Sequence, residues 1–254
     1  MKIASLRRWL LLAMSLGVLP YLTACATKPT DPDDLQAYNE ANDPFEPANR
    51  VFFKFNNGLD NVVLRPLAEG YRAVAPKTLV RDPIHRFLLN LDSPIILGND
   101  ILQGKPKRAA ATFWRFLVNS TAGIGGLFDV AAYAGVKYHD ADFGETLAVW
   151  GAPAGPFLEL PVYGPSNPRD GIGIGVDVAM DPITWIHNGH GVNAMRWSRY
   201  GITAIDEYER AMDELDVINK TSLDPYATIR SLYRQNREST IAALKAGDDP
   251  NQPQ

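Results

Sequence analysis

The sequence has a single cysteine, very few strand-type segments and no apolar run long enough to span a bilayer. One cysteine among 254 residues excludes an intramolecular disulfide and a metal site built from cysteines. Alternation of polar and apolar residues is almost absent, and its best example is the short stretch 157–162. We therefore predict a mostly α-helical fold.

The chain also lacks the excess of basic residues that nucleic-acid binding requires. It carries 25 Lys and Arg against 29 Asp and Glu, a formal net charge of −4. Since neutralisation of phosphates needs a clustered basic face, we predict no nucleic-acid partner. Internal repeats are missing as well, which excludes a solenoid array.

Motifs for catalysis and metal binding are sparse. No serine stands in a Gly-x-Ser-x-Gly elbow, because Ser166 has Pro168 where the second glycine belongs. His187 and His190 could approach a metal from one helical face, but no carboxylate completes the set and the flanking glycines favour a loop with exposed histidines. We therefore predict no enzyme activity, no metal and no cofactor.

The N-terminus has the organisation of a lipoprotein signal. Basic residues precede an apolar stretch from Trp9 to Leu22, which is shorter than the roughly 20 residues of a spanning helix. An apolar residue and two small residues then precede Cys25. We predict a signal peptide over 1–24 and covalent N-acyl and S-diacylglycerol chains on Cys25. The alternative is an ordinary secretory signal with a chance cysteine.

Two terminal segments lack any helical period. Residues 25–41 are polar and contain two prolines, which predicts a lipidated flexible tether. Ala26 after the cysteine favours sorting to the outer membrane, on its periplasmic face. Residues 247–254 are typical of a disordered tail. One helical domain over 42–246 is expected between them.

The first helix of this domain is predicted over 47–64, ending before Pro66. Polar residues mark its other face, so the helix is amphipathic. Either it lies in a membrane interface or its stripe is buried in an ordinary core. The apolar stripe consists of Phe52, Phe55, Leu59 and Val62.

Caps and apolar periods predict the other helices. Helices are expected at 82–91, 93–102, 106–119 and 142–150, followed by a C-terminal αα-hairpin of about 192–219 and a helix from Pro225. The helix over 106–119 carries an apolar face of Ala110, Phe113, Trp114 and Leu117. The many Pro and Gly residues predict short loops between these elements.

Three further features have more than one interpretation. Asp129, inside an apolar run, is either a capped core acid or a cavity-lining group. The small residues Gly171, Gly173 and Gly175 favour close packing of helices over a dinucleotide cradle. One face of the last helix is either a headgroup patch or an ordinary solvated surface; it consists of Arg230, Arg234 and Arg237.

An ordered series of motifs closely resembles the MlaA/VacJ family of outer-membrane lipoproteins. The resemblance covers about residues 40 to 220, behind the lipidation motif, and departs from the family mainly in a short C-terminal tail. The motifs are NDPFEPANR at 42–50, FNNGLD at 55–60, LRP at 64–66, GGLFDVA at 125–131, DFGETLAVWG at 142–151 and LPVYGPSNPRDGIG at 160–173.

This resemblance implies a lipid transporter without catalytic activity. It implies a ring-shaped, disc-like single helical domain in the inner leaflet of the outer membrane, associated with a trimeric porin. An amphipathic channel would remove mislocalised phospholipids from the outer leaflet and pass them to a soluble periplasmic carrier, maintaining lipid asymmetry. The alternatives are an outer-membrane lipoprotein hydrolase, such as a phospholipase, and a structural lipoprotein of the envelope.

Two groups of residues are candidates for the lipid channel. In the first helix, amides beside the apolar stripe and a helix-weakening glycine are expected to border the lipid path; this group is Phe55, Asn56, Asn57 and Gly58. A helix cap and a loop are expected to supply polar rims for a headgroup; this group is Asp142, Glu145, Arg169 and Asp170.

Overall fold

The computed structural model of this protein describes residues 28–31, 38, 41–186 and 190–247. The predicted signal peptide, Cys25, most of the tether, His187 and the tail beyond Gly247 lie outside the described residues, as does the side chain of His190. Helices dominate the described part, which confirms the mostly α-helical prediction. None of the described helices is long and apolar enough to cross a membrane.

Ten α-helices follow one another in the described chain. They are α1 (Glu46–Leu59), α2 (Arg65–Val74), α3 (Asp82–Leu102), α4 (Pro106–Thr121), α5 (Val130–Tyr133), α6 (Phe143–Val149), α7 (Pro168–Met180), α8 (Pro182–Trp185), α9 (His190–Thr221) and α10 (Pro225–Ala246). Two π-helical segments, Asp60–Leu64 and Lys77–Arg81, precede α2 and α3. Between α6 and α7, β1 (Leu158–Leu160) and β2 (Gly164–Ser166) form an antiparallel hairpin with Leu158 opposite Ser166.

The chain divides into two compact units. The first contains the chain up to Gly58 together with Gly155–Pro168. Here Asn49 on α1 donates from Nδ2 to the Phe157 carbonyl (3.1 Å) and accepts at Oδ1 from the Glu159 N–H (3.0 Å). Because these groups are buried, the side chain of Asn49 replaces water as the partner of the β1 backbone.

The second unit contains Leu59–Ala154 and Arg169–Gln254. In it α3 packs along α4, α9 packs against α2, and α10 contacts both α6 and α9. Asp224 caps α10 by accepting from the Ala227 N–H (3.2 Å). The predicted C-terminal helical hairpin is therefore confirmed as α9 and α10.

Two predicted helix ends were wrong, both at prolines. A break was expected at Ser93-Pro94, but α3 continues through Pro94. Packing along α4 stabilises α3 against the local cost of an interior proline, about 3 kcal/mol. The first helix was expected to extend to residue 64; instead α1 ends at Leu59, and a π-helical segment leads into α2, where Pro66 occupies the first turn. Leu64 and Arg65 keep right-handed helical φ and ψ, and the Arg65 N–H donates to the Asp60 carbonyl, so the backbone stays helical from α1 into α2.

Candidate functional site

Helix α4 buries its polar face and exposes its apolar face. Phe113, Trp114 and Leu117 are 54%, 50% and 43% exposed. The buried positions of this helix are Arg108, Ala109, Thr112, Arg115 and Asn119. The predicted apolar face is thus correct in its residues but lies outside the protein core, an arrangement that favours an apolar environment around the helix.

The same inversion extends through the described residues. Those that are buried comprise 24 polar or charged residues and 13 apolar ones. Large apolar side chains are exposed on α1 and on the π-helical segment after it, including Phe55 and Val62. The first apolar stripe was predicted to lie either in a membrane interface or in a buried core. Phe55 and Val62 do not belong to a buried core.

Asp129 is a capped, ion-paired acid. Its carboxylate accepts from Arg115 Nη2 (2.7 Å) and Asn119 Nδ2 (3.0 Å) on the buried face of α4. It also accepts from the Ala132 N–H (3.2 Å) and so caps α5. Burial alone would raise the pKa of Asp129, but the hydrogen bonds from Arg115 and Asn119 outweigh it and lower the pKa. The contacts show a capping role, and Asp129 also lines a small cavity together with Arg115 and Asn119, so both interpretations apply.

The first group of candidate residues contains a buried amide that holds a turn. Asn56 Nδ2 donates to Glu159 Oε1 (2.9 Å) and to the Leu160 carbonyl (3.0 Å), and its Oδ1 accepts from the Val162 N–H (2.8 Å). We call these four residues the amide clamp. Val162 has φ +73°, a left-handed conformation that is strained for a β-branched residue. The clamp therefore stabilises an otherwise unfavourable turn between β1 and β2.

The other members of this group have different surroundings. Phe55 and Gly58 are exposed, and Asn57 is half-buried. A side chain added at Gly58 would meet no atom within 4 Å. The exposed surface at this segment is thus formed by Phe55 and Gly58, while Asn56 is engaged by β1 and its turn.

The second group converges on Arg237 of α10. Its guanidinium forms a two-pronged pair with Asp142, from Nη1 to Oδ2 and Nη2 to Oδ1 (2.6 Å each). Nη1 also donates to Glu145 Oε1 (3.1 Å), and Nε donates to Asp170 Oδ2 (2.9 Å). Tyr233 donates its hydroxyl to the same Asp170 oxygen (2.5 Å). We call these five residues the Arg237 cluster.

The N-terminal ends of two helices, α6 and α7, bring this cluster together. Asp142 caps α6 as predicted, accepting from the Glu145 N–H (2.8 Å). Arg169 and Asp170 were expected in a loop but occupy the first turn of α7, where Arg169 Nε donates to Asp170 Oδ1 (2.9 Å). The loop prediction failed because Pro168 begins a helix here.

Two glycines let these helices approach closely enough for the cluster to form. A Cβ added at Gly173 would lie 2.5 Å from the Gly144 nitrogen, and one added at Gly144 would lie 2.5 Å from Asp170 Oδ1. The prediction of close helix packing is therefore confirmed for Gly173. Gly175 meets nothing within 4 Å, so the prediction does not hold there.

The Arg237 cluster shifts the protonation of its carboxyl groups in opposite directions. Burial, reinforced by the charge of Asp142, raises the pKa of Glu145 to about 8. For Asp170 burial acts in the same direction, but hydrogen bonds from Arg237 and Arg169 outweigh it and bring the pKa to about 2. Burial would lower the pKa of Arg237, whereas its bonds to Asp142 and Asp170 raise it. The cluster thus holds a permanent cation, an ionised Asp170 and a Glu145 that retains its proton near neutrality.

Arg237 is the central residue that the sequence analysis did not assign to a site. It was grouped with Arg230 and Arg234 as either a headgroup patch or a solvated face, and it belongs to neither. The overlooked signal is spacing: Tyr233 and Arg237 are four residues apart and share one face of the helix. Tyr233 belongs to the apolar stripe of this helix with Tyr226 and Ile229, so the same spacing places Arg237 on that face.

Comparison with known proteins identifies the family. A solved structure described as "Structural basis for maintenance of bacterial outer membrane lipid asymmetry" matches this chain with a TM-score of 0.67 and 33% identity, covering 79% of this chain and 98% of that chain. A family model described as MlaA lipoprotein matches residues 41–240. The fold is therefore that of a class of helical lipoproteins associated with the outer membrane. The chain belongs to the MlaA lipoprotein family.

Its relatives include both named and unnamed proteins. The Escherichia coli "Intermembrane phospholipid transport system lipoprotein MlaA" is 32% identical over 245 residues, which is 94% of this chain and 92% of the relative. The Haemophilus influenzae protein of the same name is 33% identical over 225 residues, covering 87% and 86%. An uncharacterized Rickettsia bellii protein is 36% identical over 220 residues, covering 82% and 84%.

Proposed function

We propose that this protein is a lipoprotein anchored to the periplasmic face of the outer membrane through acyl chains on Cys25. It removes mislocalised phospholipids from the outer leaflet through an amphipathic channel and passes them to a soluble periplasmic carrier. A trimeric porin is its membrane partner. The names of the E. coli and H. influenzae relatives, which refer to intermembrane phospholipid transport, support this assignment.

The observation that carries the proposal is the inverted helix α4. Exposure of its aromatic side chains to water is unfavourable, whereas contact with acyl chains would remove this apolar surface from water. Each half-exposed aromatic ring gains about 1 kcal/mol or more on transfer from water to an apolar phase. The buried polar face of the same helix gives the protein a hydrogen-bonded interior without a large apolar core.

Lipid transfer from vesicles to a soluble carrier tests the proposal. Full-length lipidated protein is placed in donor proteoliposomes with labelled phospholipid, and a periplasmic lipid carrier is added as acceptor. Intact phospholipid on the carrier supports transport. Lyso-lipid would identify a hydrolase, and unchanged lipid would identify a structural lipoprotein; either result would overturn the proposal.

The anchor is tested separately. A Cys25→Ser protein should remain an unprocessed precursor without acyl chains, because the chain has no other thiol. Membrane fractionation and intact-mass spectrometry measure this, and Cys25→Ala serves as a matched variant. Recovery of a mature, acylated Cys25→Ser protein would contradict the proposed lipoprotein anchor.

The porin partner is tested by co-purification from native outer membranes. Affinity purification of the tagged full chain in mild detergent should recover a trimeric porin in a stoichiometric ratio. The tagged Cys25→Ser protein is the control for chance association during solubilisation. A porin recovered equally with both proteins would contradict a specific partnership.

A further inference from the structure

A cavity that does not include the Arg237 cluster lies at the start of α4. Its volume is about 650 Å³, within the range of sites for small molecules. Three parts of the second unit line it: the first turn of α4, the segment after α5, and Gly247 at the end of α10. The cavity is therefore large enough for a headgroup-sized molecule and too small for a macromolecule.

The described lining is basic and contains no carboxylate. Its charged side chains are Lys105, Lys107, Arg108 and Lys137. This concentration of positive charge occurs in a protein whose net charge is −4. Because like charges placed together repel one another, such a lining is stabilised by an anionic ligand.

One buried acid, Asp100, pairs with the basic lining and fixes Arg108 in place. Arg108 is only 8% exposed; its Nε donates to Asp100 Oδ1 (3.2 Å) and its Nη2 donates to the Asp140 carbonyl (2.6 Å). His139 Nε2 forms a hydrogen bond with the second oxygen of Asp100 (2.9 Å). Lys105 Nζ donates to the Leu244 carbonyl (2.5 Å) and so ties the end of α10 to the start of α4.

Two lysines remain available at the rim of the cavity. Lys107 and Lys137 are exposed, and neither has a carboxylate partner among the described residues. Helix α4 begins beside them at Pro106 without a side-chain cap, so the positive end of its dipole adds to the same field. Two lysine ammonium groups and the free N–H groups of an uncapped helix start are suited to a compact oxyanion that accepts several hydrogen bonds.

We propose that this cavity binds a phosphate group, with Lys107 and Lys137 as its direct partners, while Arg108, paired with Asp100, forms the wall behind them. The phosphate is either that of a phospholipid headgroup or a free phosphate. The assignment to a lipid rests on the proposed transport function, whereas the anion site rests on the lining alone.

Titration calorimetry on the full-length protein in non-ionic detergent tests the site. Three probes are compared: inorganic phosphate, glycerophosphoglycerol, and dihexanoyl phosphatidylglycerol below its micelle concentration. The Lys107→Gln/Lys137→Gln protein should bind about tenfold more weakly, and the Lys107→Arg/Lys137→Arg protein should retain binding. Lys77→Gln/Lys220→Gln, which removes the same charge elsewhere, should bind as the unmodified protein does.

The probes distinguish the source of the phosphate. Tighter binding of the short-chain lipid than of the two soluble probes identifies a lipid headgroup, and equal binding of all three identifies a free phosphate. If no probe binds, or if the double glutamine protein binds equally well, the phosphate site is overturned. None of these probes requires transport, so a failure of the transfer experiment and a failure of the site are separate results.

Discussion

The amide clamp and the Arg237 cluster satisfy buried polar groups in different ways. The clamp uses one neutral side chain, Asn56, as donor and acceptor to backbone and carboxylate groups of one hairpin. The Arg237 cluster places one cation among three carboxyl groups from two other helices. A neutral amide needs only correct geometry, whereas a buried cation also needs its countercharges and depends on their protonation. The two sites should therefore differ in both the cost of disruption and the response to pH.

The largest expected effect is that of Arg237→Met. This change removes the cation shared by the half-exposed Asp142 and the buried Asp170, and leaves Asp170 with Arg169 alone. Breaking a buried ion pair costs roughly 3–5 kcal/mol in other proteins. Denaturant unfolding in detergent measures the loss. Arg234→Met on the same helix, whose pair with Glu238 is exposed, should cost less than about 1 kcal/mol. Equal losses in the two variants would contradict a structural role for the Arg237 cluster.

A smaller loss is expected for Asn56→Ala. The change removes the amide partner of Glu159 and of the Val162 N–H, so the free energy of unfolding should fall by about 1–3 kcal/mol. Asn57→Ala, at the half-buried neighbouring position, is the matched control and should cost less. A loss no larger than that of Asn57→Ala would contradict a structural role for the clamp.

Glu145→Gln tests the protonation of the Arg237 cluster. The folded protein holds a proton on Glu145 up to about pH 8, whereas the unfolded chain releases it near 4.5. In that window the folded state binds more protons, so stability falls as pH rises towards 8, and the glutamine variant is free of this loss. The stability of the variant relative to the unmodified protein should therefore rise by more than about 1 kcal/mol from pH 5 to pH 8.

Glu238→Gln provides the control for that measurement, since Glu238 is exposed and pairs within its own helix. Its stability difference from the unmodified protein should stay flat across the same pH range. A flat difference for Glu145→Gln as well would mean that Glu145 is ionised in the folded protein.

The smallest effect on unfolding is expected on the exposed face of α4. Trp114→Gln should change the free energy of unfolding in detergent by less than about 0.5 kcal/mol, because surface positions tolerate substitution. Its partition into liposomes should nevertheless weaken, since a half-exposed apolar ring is lost. Trp114→Phe keeps the apolar surface and should partition normally. Unchanged partition of Trp114→Gln would show that this face does not contact lipid.

Local patterns were sufficient for most helices and caps. The period of residues 106–119 predicted α4, and Asp142 was correctly assigned as the cap of α6. Local rules failed at Pro94, where contacts with α4 keep α3 intact, and at Arg169-Asp170, which begin a helix. The candidate channel residues of both groups remain predictions, because their side-chain contacts do not show which surfaces meet lipid.

The sequence by itself determined the helical class, the family and the division of α4 into a polar and an apolar face, because each depends on residue order along the chain and not on contacts between distant segments. It could not determine which face of α4 points inward, since an amphipathic period is the same in either orientation. It also could not assemble the Arg237 cluster, whose members lie up to 95 residues apart. Only the close approach of α6 and α7 at Gly144 and Gly173 brings those carboxyl groups within hydrogen-bonding distance of one guanidinium.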